Sequence, residues 1–95
     1  MALEVSPAVR RKLQVEHGVD VEEVEQCFKN RQGRLLTDDR ARHRTIPPTR
    51  WFISKTDTGR ILKVVFIPGD SVYILKSAFE PNEDEMRIYL RTVQR

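Results

Sequence analysis

Between Arg31 and Lys76 the chain places ten lysines and arginines against four aspartates, and these cations are the residues best equipped for chemistry. The remaining residues carry seven basic and ten acidic side chains, so the net charge of +3 conceals a basic middle with acidic flanks. Guanidinium groups grip phosphate oxygens in pairs, and ammonium groups act on them as point charges. Together with a pI near 9.4, the basic middle points to a nucleic-acid partner. An arginine-rich solubilising surface is the plainer alternative. Arg50 and Lys63 fall in segments that read as adjacent strands, where alternation brings them to one sheet face if the hairpin register allows. Lys76, on the next strand, can join them; lone charges on a half-exposed sheet are the other reading. His43 stands among Arg40, Arg42 and Arg44. Neighbouring cations favour the neutral imidazole that a general base needs, although a solvated loop histidine fits equally well. Trp51 can stack on an unpaired base, a contact worth roughly 1–3 kcal/mol in single-stranded binding, or it can pack in the core. Arg60 and Tyr73 complete the set of candidate nucleic-acid contacts.

Other chemistry is missing from the sequence. There is no glycine-rich phosphate loop, no H-E-x-x-H, no paired His/Cys ligand spacing and no nucleophile elbow, so neither a metal nor a cofactor is expected. Glu83, Asp84 and Glu85 read as carboxylates at a helix start, favoured by its dipole. His17, just before Gly18, reads as a helix C-terminal residue. A lone Cys27 cannot form an internal disulfide, and its apolar neighbours mark it as buried and inert.

The elements that must position these side chains are well punctuated. Ninety-five residues, 39% hydrophobic and 33% charged, fit one small domain spanning 1–95. The longest apolar run, Val64 to Ile67, is far short of the roughly 20 residues of a membrane span. Met1 to Glu4 lacks the basic and apolar regions of a signal peptide, so a cytoplasmic domain is expected. Ala2 to Val5 can form an edge strand. Ser6-Pro7 starts a helix that should run to about Glu16, burying Val9 and Leu13, and Gly18 ends it. Asp20 with Glu23 makes a capping box for a second helix to about Lys29, with Val21, Val24, Cys27 and Phe28 at helical spacing.

After Asn30 the period changes. Leu35-Leu36 can be a short strand, and 37–49 looks irregular. Thr49 to Thr56, Arg60 to Ile67 and Ser71 to Ser77 read as strands joined by turns at Asp57-Thr58-Gly59 and Pro68-Gly69-Asp70. Asn82 and Glu85 cap a last helix, on which Met86, Tyr89, Leu90 and Val93 make a stripe facing the sheet. The expected fold is α+β: an antiparallel sheet of three to four strands, two N-terminal helices and one C-terminal helix, with one sheet face left open.

The order of these segments resembles a known family. His17-Gly18-Val19, followed by an acidic amphipathic helix ending in Phe28, is similar to the "KHGVSFEEAxxVF" stretch of BrnT-type toxins. Arg50 to Ile53, the turn at Gly59-Arg60, and Ile61 to Phe66 resemble that family's "R-x-x-x-G-x-x-x-x-G-R-x-L-x-V-V" hairpin. Ser77-Ala78, with Glu85 four residues before Tyr89, falls where the family has "ISARxAxxxExxxY". The likeness covers most of the chain and is weakest over 33–48. It implies a RelE/ParE-like fold and an RNA-cleaving toxin of a two-component system, held inactive by a small antitoxin protein.

Metal-independent RNA cleavage must activate the 2′-OH, stabilise charge on the phosphorane and protonate the leaving oxygen. For such chemistry the residues themselves offer His43 as acid or base, Arg50, Lys63 and Lys76 as phosphate contacts, and Arg40, Arg42, Arg44, Trp51, Arg60 and Tyr73 as RNA-binding residues. Phe79 stands where the family has arginine, and Glu80 to Asp84 replace a basic run. These departures keep a second reading in play, a non-catalytic nucleic-acid- or protein-binding module. A monomer or weak dimer is expected until an antitoxin binds.

Overall fold

The computed structural model describes residues 2–32, 35–37 and 48–93, and among these the fold is α+β, with three helices and one five-stranded mixed sheet. No helix among the described residues is long and apolar enough to cross a membrane.

Strand β1 (Ala2–Glu4) leads into α1 (Pro7–Lys12). Ser6 Oγ accepts the Val9 N–H at 3.2 Å, and Pro7 takes the first helical position, where it needs no donor. The expected continuation to Glu16 changes its winding, because Leu13–His17 forms a π-helical turn. The Leu13 carbonyl accepts the N–H groups of Gly18 and Val19, the latter at 2.9 Å, across a left-handed Gly18 with φ +60°. This wide closing turn delivers Val19 into the core with no exposed surface. Helix α2 (Val21–Lys29) starts with the full capping box, Glu23 Oε1 accepting the Asp20 N–H at 3.0 Å. Its apolar side buries Val24 and Cys27. Burial pushes the Cys27 thiol up to about 12, with the Glu23 charge adding to the effect, which leaves it an inert core residue.

The remaining strands are β2 (Leu36–Thr37), β3 (Arg50–Lys55), β4 (Ile61–Pro68) and β5 (Val72–Phe79), in the spatial order β1-β5-β4-β3-β2. The expectation of a purely antiparallel sheet is corrected at one edge, where β1 runs parallel to β5. That pairing joins the first strand to the last, about seventy residues apart, and no local turn signal announces it. Phe52 lies opposite Val64, and Ser54 opposite Leu62. Alternation thus sends Phe52, Leu62, Val64 and Phe66 toward α2, where they form the core with Leu13, Leu75 and Ala78. Phe28 meets Phe52 and Phe66 edge-on, with centroids 4.8 and 5.3 Å apart.

The second face is not left open. Helix α3 (Glu83–Val93) covers part of it, capped by Asn82 Oδ1, which accepts the Glu85 N–H at 2.8 Å. The stripe of Met86, Tyr89, Leu90 and Val93 is shallower than expected. No described side chain of α3 is buried, and Leu90 is 44% exposed. Helical spacing gives the direction of an apolar face, not how much sheet lies beneath it.

Phe52, fully buried and ringed by aromatics, anchors the first layer. Phe52→Ala should lower unfolding stability by about 3–5 kcal/mol, read as a shifted midpoint with unchanged slope in urea.

Candidate functional site

Because Leu62 and Val64 face the helices α1 and α2, the residue between them must face the other way. Lys63 does so, pairing with Ile53 in the register, and becomes a buried lysine on the second face. Its Nζ lies 4.5 Å above the Trp51 ring centroid and 5.6 Å from that of Phe79. It is ion-paired to Glu85 Oε2 of α3, the side chains being 11% and 16% exposed. The other Glu85 oxygen accepts the Asn82 N–H at 2.9 Å, so a single carboxylate caps the helix and neutralises the lysine. Two aromatic faces flank the cation, a contact worth about 0.5–2 kcal/mol each according to exposure. Chemically, the cluster offers a point charge for an oxyanion between flat surfaces on which bases can stack.

Arg60 has a different task. Its guanidinium donates to the Gly18 carbonyl at 2.8 Å and the His17 carbonyl at 3.1 Å, and to Glu23 and Glu80 at 3.3 and 3.2 Å. One side chain thereby ties the end of the π-helical turn, the start of α2 and the end of β5 to the β3–β4 hairpin. Burial alone would lower its pKa, but the hydrogen bonds to Glu23 and Glu80 outweigh that and raise it, so it is permanently charged. The hairpin itself closes through Thr56, whose N–H donates to the Arg60 carbonyl at 2.8 Å, with Gly59 at φ +90°. Asp57 at its tip accepts from Asn30 at 3.0 Å and Lys29 at 3.0 Å, pinning the end of α2. Those two contacts, Asn30 first, hold the Asp57 carboxyl below its ordinary range.

The sequence-derived candidates separate on this framework. Arg50 lies opposite Phe66 and therefore on the α2 side of the sheet, whereas Lys63 lies on the α3 side, so the register denies them a shared face. Lys76 is exposed at a β-bulge, as Val65 pairs with Ser77 and Phe66 with Leu75. Trp51 belongs to the Lys63 cluster and not to the core under α2. Tyr73 stacks on Phe28 at 5.5 Å and 12°, beside a groove of about 400 Å³ bordered by Lys29 and Arg31. Arg60 is committed to the fold. His43, Arg40, Arg42 and Arg44 lie outside the described residues. His17, at the end of the π-helical turn, sets its ring 5.4 Å from that of Phe79. Glu85 and Phe79 are the site residues that sequence reasoning missed. A lysine between two buried strand residues, and a capping glutamate on the helix that follows the sheet, were the available signals. Among the described residues no group of His, Cys, Asp and Glu could hold a metal ion.

Comparison with protein-family models gives no match, and comparison with curated proteins gives none.

Two tests follow from the Arg60 and Asp57 contacts. Arg60→Lys keeps the charge but loses the fork, and should cost about 1.5–3 kcal/mol in equilibrium unfolding, the scale of one hydrogen bond to a charged group. The lowered Asp57 pKa means its stabilising contribution is complete above roughly pH 4 and disappears as pH falls through the folded value. Asp57→Asn should therefore flatten the acid limb of stability against pH while leaving the neutral limb parallel to wild type.

Proposed function

We propose that this protein is an RNA-directed toxin, a metal-independent endoribonuclease neutralised by a cognate antitoxin. The observation that carries the reading is the placing of Lys63 against Trp51, both within the hairpin whose residues carry the toxin resemblance, with Phe79 of β5 on the other side of the cation. The β-α-α-β-β-β-β-α order is broadly compatible with the RelE/ParE-like fold that this resemblance implies. In this reading Lys63 contacts the scissile phosphate, Trp51 and Phe79 stack the flanking bases, and exposed Lys76 meets a neighbouring phosphate. Attack of the 2′-oxygen on phosphorus expels the 5′-oxygen. His43 takes the proton from the first or gives one to the second. An acidic antitoxin segment complements the basic middle of the chain, and such charge pairing speeds association.

A non-catalytic RNA-binding module is the second reading. It is favoured by the neutralisation of Lys63 by Glu85 and by Phe79 in place of the family arginine. Expression without a partner in a bacterium separates the two. The toxin reading expects growth arrest with cleaved cellular RNA, relieved by Lys63→Met in a protein whose far-UV circular dichroism is unchanged. Normal growth and intact RNA, with the protein accumulating in folded form, would leave the binding module.

A further inference from the structure

The Lys63–Glu85 contact is the most deeply buried of the ion pairs recorded among the described residues. Lys29–Asp57 and Arg87–Asp84 join side chains that are largely in water. A carboxylate and a phosphodiester are both singly charged oxyanions that accept hydrogen bonds from an ammonium group, so they compete for the same donor. We propose that the Lys63 site binds the phosphodiester of single-stranded RNA, and that Glu85 fills it from within as a competitor carried on α3. This inference rests on the RNA-directed reading above.

Three features support it. The site is built before any ligand arrives, because Trp51 and Phe79 belong to β3 and β5 and keep their places beside Lys63 if α3 withdraws. The helix bearing the competitor is held by half-buried side chains, with none fully buried among those described, less than the buried packing that holds α2. Its carboxylate is also separable from its cap. In Glu85→Gln the amide oxygen still accepts the Asn82 N–H, so the capping box survives while the charge on Lys63 is lost. Glu83, on the same helix with its side chain 95% exposed, is the matched control, since its removal changes net charge equally without touching Lys63.

Binding is read by fluorescence anisotropy at low salt with a short labelled 2′-O-methyl oligouridylate, which cannot be cleaved through its 2′ position. Glu85→Gln should bind about tenfold tighter than wild type, while Glu83→Gln stays within about twofold. The gain should vanish in Lys63→Met/Glu85→Gln. Trp51 is the sole tryptophan, and its emission should be quenched as the oligonucleotide saturates wild-type protein, which gives a readout independent of any variant's folding. Equal affinity of Glu85→Gln and Glu83→Gln, a gain that survives Lys63→Met, or unquenched Trp51 at saturation would overturn the proposal. A Glu85→Gln gain without cleavage of natural RNA upholds the site and removes the toxin reading. Cleavage by wild type with no such gain removes the competitor and leaves the toxin.

Discussion

The ion pair between Lys63 and Glu85 is the constraint around which the second face of this protein is arranged. A lysine placed by strand alternation between two core residues must go to the opposite side of the sheet, and burial there requires a partner. The partner comes from the helix that follows the sheet. Glu85 divides its two oxygens between the helix cap and the ammonium group, so the start of α3 is fixed in place by the charge it neutralises. Breaking such a pair by removing one member is costly even where the intact pair adds little, because the survivor keeps its charge without compensation. Trp51 and Phe79 lessen that penalty for Lys63, so the lysine tolerates loss of its partner better than the glutamate does.

The first face is held differently. Its core is a continuous apolar layer, and the polar contacts around it are staples at the margin. Arg60 joins the π-helical turn, α2 and the end of β5 to one hairpin, while Asp57 fastens the other end of α2 to the tip of that hairpin. Helix α2 is therefore pinned at both termini to the β3–β4 hairpin and buries Val24 and Cys27 between those points. Helix α3 has no fully buried side chain among those described; Glu85 and the half-buried Met86, Ile88, Tyr89 and Val93 face the sheet side. The two faces differ accordingly in what can move: one is a packed layer, the other a lightly docked helix above a formed cluster of aromatic rings and a cation.

Much of this was legible in the sequence. Capping boxes at Asp20 and Asn82, Pro7 at a helix start and Gly59 in the hairpin each act through backbone groups a few residues away, and each lies where its residues indicate. Pairings between distant segments were not legible. The parallel alliance of β1 with β5 has no local signal, and the face on which Arg50 lies depends on a hairpin register that a one-residue slip would invert. The site suffered most from this. Arg60 looks like an RNA contact when counted among the cations of the middle segment, yet its donors are directed at carbonyls some forty residues earlier in the chain. Glu85 was legible as a cap but not as the counter-ion of Lys63, because one residue performs both tasks.

The central claim is that α3, which carries Glu85 and no fully buried side chain among those described, can lift while the sheet stays folded. Native-state hydrogen exchange tests it most directly, since it reports the opening free energy of each amide separately. The amides of α3 should exchange through an opening well below the global unfolding free energy that governs β3 and β4. Glu85→Gln should lower protection across α3 beyond any change it makes in the strands. Exchange of α3 only through global unfolding, with Glu85→Gln shifting helix and strands equally, would show that the helix is an integral part of the core and contradict the account.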